Sequence, residues 1–163
     1  MQISTINNVS SFKGQFRKSD FEEVTPGIYN DPGKLSPRSV KLIKNLNDFI
    51  ENKYTENKEN GNDSRVFFVV PAKRGKEVAY IEPIYGGNEP TILIDVTDEK
   101  FSHKIYFNRK NPKEFRYEKT VETKCGYATL KTFDSRYENN PDVLKYVEEK
   151  VQYYVPGALG YYY

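Results

Sequence analysis

The sequence predicts one α+β domain built from an N-terminal amphipathic helix, a five- to six-stranded antiparallel β-meander and a C-terminal helix. Two segments with helical spacing of apolar residues flank a series of six short strand-like runs. The connections between these runs are short and contain turn residues, which favours antiparallel pairing between neighbours. Because such a sheet has a face to bury, we expect the C-terminal helix to pack on one sheet face.

The first predicted helix covers residues 36–54. Ser36 is a good N-cap, and Pro37 suits the first helical position, where its missing N–H has no helical acceptor. Apolar residues three or four positions apart form one stripe, which comprises Val40, Ile43, Leu46, Phe49 and Ile50. The polar run 55–64 that follows is predicted to be a loop.

The strand-like runs are rich in β-branched and aromatic residues. They are predicted at residues 65–70, 77–84, 91–96, 104–108, 114–123 and 127–133. The first run is nearly all apolar, which predicts burial of both its faces. In the last run, alternation places four residues on one face, namely Tyr127, Thr129, Lys131 and Phe133.

The second predicted helix covers residues 141–155. Asn140 is its N-cap and Pro141 its first residue, and the Asp142 carboxylate suits the positive end of the helix dipole. Its apolar stripe comprises Val143, Leu144, Val147, Val151 and Tyr154. The Pro156-Gly157 pair is predicted to end the helix.

Residues 1–35 are predicted to form a flexible leader, and residues 36–163 to form the single α+β domain. Turn-forming prolines and glycines interrupt this first segment. Its Ile6-Asn7-Asn8 and Phe12-Lys13-Gly14 sequences resemble short leaders on otherwise unrelated bacterial proteins. The resemblance implies a bacterial protein and leaves a non-standard export signal open.

Cysteine and histidine usage excludes several classes of site. The chain has one cysteine, Cys125, and one histidine, His103, so neither an internal disulfide nor a Cys/His zinc cluster can form. The start of the chain lacks an ordinary secretory signal, and no apolar run is long enough to span a membrane. We therefore expect a cytoplasmic protein.

Catalytic residues are harder to find in the sequence. His103 and Cys125 are candidates for a nucleophilic Cys–His pair, but no family signature surrounds the cysteine. Asp95, Asp98 and Glu99 lie close in sequence, but a strand-end turn explains them better than a cation site does. We predict no catalytic residue, no metal and no cofactor, and the balance is against an enzyme.

A basic and aromatic hairpin at residues 100–119 is the best local pattern. It contains seven basic and two acidic residues in a chain whose total net charge is +2. Aromatic residues are interleaved with the bases, a composition that suits single-stranded nucleic acid or another polyanion. The residues predicted to bind a polyanion are Lys104, Arg109, Lys110, Lys113 and Arg116. Solvated lysines beside core-facing aromatics are the plainer interpretation.

Three tyrosines end the chain, and they predict an interaction tail at Tyr161, Tyr162 and Tyr163. The leading hypothesis is a small non-enzymatic protein-interaction module, whose partner is an unknown protein or a second copy of the chain. The alternative is a nucleic-acid or polyanion binder that uses the 100–119 hairpin. A second alternative is a small-ligand cup between the sheet and the C-terminal helix.

Overall fold

A computed structural model describes residues 34–61, 66–86 and 88–160. The elements are, in chain order, α1 (Pro37–Glu59), β1 (Phe68–Pro71), β2 (Val78–Ile84), β3 (Thr91–Thr97), β4 (Phe101–Asn108), β5 (Phe115–Thr123), β6 (Gly126–Asp134) and α2 (Pro141–Ala158). The predicted α+β class and element order are confirmed. The predicted leader 1–35 lies almost entirely outside the described residues, so the domain boundary stays a prediction, and so does the tyrosine tail 161–163.

The six strands form one antiparallel sheet in the order β1-β2-β3-β4-β5-β6, so every strand pairs with its sequence neighbour. Short turns make this meander the simplest topology, because each strand meets its partner directly after the turn. One row of the sheet runs through Ile81, Ile94, Ile105 and Tyr117 in register. All four of these side chains are buried, and they mark the core.

Both helices lie on this core side, which we call the helix face. The Phe49 ring of α1 is 5.8 Å from that of Phe68, which is paired with Ile81. The Tyr146 ring of α2 is 4.7 Å from that of His103 on β4. The predicted packing of the C-terminal helix on one sheet face is therefore confirmed.

Both helices extend beyond their predicted ends. α1 continues to Glu59, through part of the run predicted as a loop, because no glycine or proline occurs between Pro37 and Gly61. α2 begins as predicted, with the Asn140 side chain accepting bonds from the first-turn N–H groups. It then passes Pro156 and ends at Ala158. A proline costs a helix one backbone bond, and the final turn tolerates that loss.

Two strands differ from their predicted faces. In β1, Val70 is buried but its neighbour Val69 is exposed, so only one face of the strand is covered, contrary to the prediction. In β6, the pairing register shifts between Lys119 and Thr120 of β5, which leaves Leu130 as the extra residue of a β-bulge. Tyr127 therefore lies on the opposite face from Phe133, although simple alternation placed them together.

The other side of the sheet, which we call the outer face, is turned away from both helices. It carries the alternate residues of each strand, and these are mostly half-buried or exposed. No helix among the described residues is long and apolar enough to cross a membrane.

Candidate functional site

Three exposed apolar side chains lie together at the β1 end of the outer face, and we call them the apolar patch: Phe67, Val69 and Tyr80. Val69 is directly opposite Tyr80 in the sheet register, and the Phe67 ring is 6.1 Å from the Tyr80 ring. Their exposed fractions are 50% for Phe67, 53% for Val69 and 38% for Tyr80. The patch is a continuous apolar surface on a face that the two helices do not cover.

The centre of the outer face is charged. Lys104 lies between Asp95 and Glu118 in register across three strands, and its Nζ donates to Ser102 Oγ at 3.1 Å. Ser102 Oγ in turn donates to Asp95 Oδ1 at 2.6 Å. One row along, the Arg116 guanidinium lies 4.5 Å from the centre of the Tyr106 ring. These cations are therefore already engaged by carboxylates, hydroxyls and an aromatic ring.

The predicted polyanion-binding residues do not form one surface. Lys104 and Arg116 lie on the outer face, whereas Lys110 and Lys113 are exposed in the turn between β4 and β5. Arg109 reaches α1 instead. Their role in binding a polyanion stays a prediction.

Arg109 joins the β4–β5 turn to α1. Its Nε donates to Asn47 Oδ1 at 2.6 Å, and Nη2 donates to Glu51 Oε2 at 2.7 Å. Only 7% of its side chain is exposed, and its guanidinium lies 5.5 Å from the centre of the Tyr85 ring. These contacts make Arg109 a structural residue that holds the helix against the end of the sheet.

We expect Arg109→Ala to lower the free energy of unfolding by about 2 kcal/mol, because hydrogen bonds to charged groups contribute roughly 1.5–3 kcal/mol. Urea denaturation followed by circular dichroism measures this loss. Lys110→Ala changes an exposed residue of the same turn and should cost less than about 0.5 kcal/mol. Equal stabilities of the two variants would contradict the structural role of Arg109.

Two cavities open beside the outer face. One of about 410 Å³ lies at the Ile84 end of β2, and Tyr106, Arg116, Asp134 and Arg136 contribute to its lining. Arg136 donates two side-chain bonds to the Asp134 carboxylate, and these bonds hold the pKa of Asp134 below its usual value. The second cavity, of about 810 Å³, lies at the opposite end of β3, β4 and β5.

A polar aromatic cluster lies on the helix face under α2. His103 Nδ1 and the Tyr117 hydroxyl are 2.7 Å apart, and Tyr146 of α2 stacks beside the imidazole. Burial raises the pKa of Tyr117 and, more strongly, that of Tyr146, so both phenols are neutral at physiological pH. Nearby, Glu77 accepts bonds from Lys150 and Tyr154 of α2. The cluster ties the helix to the sheet.

Cys125 is not one of the residues of this cluster. It is exposed in the turn between β5 and β6, and its backbone N–H donates to Thr123 Oγ1. His103 instead contacts Tyr117 and Tyr146. The structure therefore gives the imidazole aromatic and phenolic partners, which suit a packing role better than activation of a thiol.

We expect the protein to lose stability as the pH falls from about 7.5 to 5.5. Burial lowers the pKa of His103 in the folded state, and the Lys119 ammonium lowers it further. An unfolded histidine has a pKa of about 6.5. The unfolded chain thus binds the proton more tightly, and stability declines below that pH, toward the folded pKa, by at most ~1.4 kcal/mol per pH unit.

Urea denaturation at pH 7.5 and pH 5.5 measures this effect. His103 is the only histidine of the chain, so His103→Gln should flatten the dependence within this window. Wild-type protein with the same unfolding free energy at both pH values would show that His103 is not desolvated.

Asp95, Asp98 and Glu99 are the acidic residues that the sequence offers as candidate cation ligands. Asp98 caps its own turn, since its Oδ1 accepts from the backbone N–H groups of Lys100 and Phe101 at 2.7 Å each. These bonds lower the pKa of Asp98. Among the described residues, no group of three or more histidine, cysteine, aspartate or glutamate side chains is placed to hold a metal ion. The two bonds of Asp98 agree with the interpretation that Asp95, Asp98 and Glu99 belong to a strand-end turn.

Neither the apolar patch nor Tyr146 stands out as a site in the sequence. Phe67 and Val69 alternate with Val66, Phe68 and Val70, so the two sets lie on opposite faces of a strand. Because all five residues are apolar, the sequence does not indicate which of the two faces is exposed. Tyr146 occupies a helix position next to the predicted stripe, and only the packing of α2 on β4 gives it a role.

Comparison of the chain with protein-family models, with curated proteins and with solved structures finds no match.

Proposed function

We propose that the protein is a small non-enzymatic interaction module that binds a basic protein partner on the outer face of its sheet. The observation that carries this proposal is the apolar patch of Phe67, Val69 and Tyr80, beside an acidic surface. Exposed contiguous apolar side chains rimmed by polar residues are typical of protein–protein contact sites.

The charge of the outer face supports a basic partner. Across the six strands, this face carries five carboxylates and two cations, which are Glu82, Asp95, Glu118, Glu122 and Asp134 against Lys104 and Arg116. Complementary charge speeds association and suppresses unsuitable partners. A partner with apolar side chains flanked by lysine or arginine therefore suits both the patch and its surroundings.

The same charge balance disfavours the nucleic-acid or polyanion alternative, because phosphates would meet more carboxylates than cations on this face. The contacts of Arg109 with α1 remove one of the predicted bases from that surface. The ligand-cup alternative is also less favoured. Beneath α2, Val147, Val151 and Tyr154 are fully buried, and both cavities described above open beside the outer face instead.

A selection from a library of random displayed peptides, with the full chain as bait, tests the proposal. We expect enriched peptides to combine aromatic or aliphatic residues with lysine or arginine, and to bind more weakly as salt rises. No enrichment, or enrichment of acidic peptides, would overturn the proposal. Mass measurement in solution gives a further test. A dimer that Tyr80→Thr dissociates would make a second copy the occupant and would also overturn it.

A further inference from the structure

Strand β1 lies at an edge of the sheet. It pairs with β2, and no strand among the described residues pairs with its other side, which we call the open edge. The Ala72 N–H donates to the Glu77 carbonyl oxygen at 3.0 Å, and alternate residues of an antiparallel strand direct both backbone groups to the same side. Val70 therefore bonds to β2, whereas Val69 directs its N–H and C=O groups to the open edge.

Pro71 also belongs to the open-edge set, since it lies two residues after Val69. A proline has no N–H, so a sheet accepts it where that group would point away from the partner strand. The position of the proline therefore agrees with the phase of the ladder. The backbone groups that face the open edge are the Val69 N–H and the carbonyl oxygens of Val69 and Pro71, and these can bond to an added strand.

Apolar side chains lie on both faces of the sheet beside the open edge. On the outer face, Val69 belongs to the apolar patch and is exposed. On the helix face, the Phe49 ring of α1 lies 5.8 Å from that of Phe68, and neither ring is fully buried. The side chains of a strand point alternately to the two faces. An added strand would therefore place one set of its side chains beside the patch and the other set beside Phe49 and Phe68.

The two edges of the sheet differ in how they are protected against added strands. β6, at the other edge, contains the β-bulge at Leu130, and Lys131 follows it. Bulges and lysines keep edge strands from pairing with further chains. β1 is short and ends in Pro71, yet its register with β2 is unbroken and residues 66–71 carry no charge. β1 is therefore the edge that better suits a partner strand.

The charges near β1 favour a partner segment with lysine or arginine at one end. Glu82 follows Tyr80 on the outer face, toward the start of β1. The turn that follows β1 instead carries Lys73 and Arg74. Opposite charges across an interface attract and like charges repel. Cationic side chains of the segment are therefore expected near the start of β1.

A second copy of the chain suits the open edge less well. Antiparallel pairing of two β1 strands centred on Val69 would place each Pro71 opposite a Phe67, and the missing proline N–H would leave a bond unmade in both halves. The outer faces would also join, and each of them carries more carboxylates than cations. A different, basic chain avoids both costs.

From the open backbone groups of Val69, the apolar side chains on both faces and the charge of the outer face, we infer that β1 binds an extended segment of the partner as an added strand. The segment has apolar side chains at alternate positions and lysine or arginine near the start of β1. Main-chain hydrogen bonds to the open edge supply part of its affinity, and the patch selects its side chains. The inference rests on the proposed function, which assigns the interface to the outer face, and it adds the conformation of the bound segment.

Amide hydrogen exchange of the ¹⁵N-labelled full chain, measured by NMR with and without a selected basic peptide at saturation, tests this inference. The Val69 amide should exchange at least about tenfold more slowly in the complex, because it gains a hydrogen bond. The Val70 amide is the internal control, since its bond to β2 protects it in both states.

Two results of the exchange measurement would overturn the added strand. A peptide that contacts the Val69 methyl groups but leaves Val69 amide exchange unchanged would do so, and the proposed function would then still stand. A Val69 amide that is already as protected as that of Val70 in the free chain would also do so, because the chain itself would then fill the open edge.

N-methylation of the same peptide, one backbone nitrogen at a time, gives a second readout by isothermal titration calorimetry. Alternate positions direct their N–H groups to β1, so methylation there should weaken binding at least about tenfold. The intervening positions are the matched controls, and methylation there should change affinity less than about threefold. Losses without this two-residue period would show that side chains alone hold the peptide, and the inference would be wrong. A library from which no peptide is enriched would overturn it together with the proposed function.

Discussion

Phe107→Ala is expected to lower the free energy of unfolding by about 4 kcal/mol, since removing a buried phenylalanine ring typically costs 3–5 kcal/mol. Phe107 is completely buried on the helix face of β4. Its ring centre is 5.8 Å from that of Phe115, and Phe115 in turn contacts Phe133 at 5.6 Å. The truncation therefore opens a cavity in an aromatic row that joins three neighbouring strands.

The size of this loss is large compared with the total stability of a small domain, about 5–15 kcal/mol. Urea denaturation at 25 °C measures it. Tyr137→Ala, at an exposed aromatic position, should change stability by less than about 0.5 kcal/mol. A Phe107→Ala variant as stable as this control would contradict the core described for the sheet.

The second large effect concerns binding. The double variant Val69→Thr/Tyr80→Thr should weaken the affinity for selected basic peptides at least about 30-fold, or about 2 kcal/mol. The loss follows because both changes remove apolar surface from the patch, and large aromatic side chains carry much of the energy of protein interfaces. Threonine favours strands, as valine and tyrosine do, so the sheet should remain folded.

Isothermal titration calorimetry with one selected peptide measures this affinity. Tyr137→Thr is the matched control, because it changes an exposed tyrosine outside the patch and should bind as the wild-type protein does. If the double variant bound the peptide with unchanged affinity while remaining folded, the patch would not be the binding surface.

Local sequence patterns were sufficient to predict the architecture. Asn140 and Pro141 predicted the start of α2, and the Asn140 side chain caps the helix as expected. Short turns predicted the meander, and the observed strand order follows the chain. The helix ends were less predictable, since Pro156 is tolerated in a final turn.

The faces of the edge strands could not be predicted in this way. The β-bulge at Leu130 depends on the pairing of β5 with β6, and it reverses the face on which Tyr127 lies. Arg109 belongs to a basic run in the sequence, yet it bonds to Asn47 and Glu51 more than fifty residues earlier. Such contacts depend on tertiary packing, so the spacing of residues near Arg109 in the sequence does not predict them.

Intermolecular nuclear Overhauser effects between a selected peptide and the side chains of β1 test the central claim most directly. Val69 and Val70 are neighbours whose side chains lie on opposite faces of the sheet, and only Val69 is exposed. The proposed interface predicts contacts from the peptide to the Val69 methyl groups and to the Tyr80 ring. Contacts confined to the helices or to the 109–114 turn, with none to Val69, would contradict it.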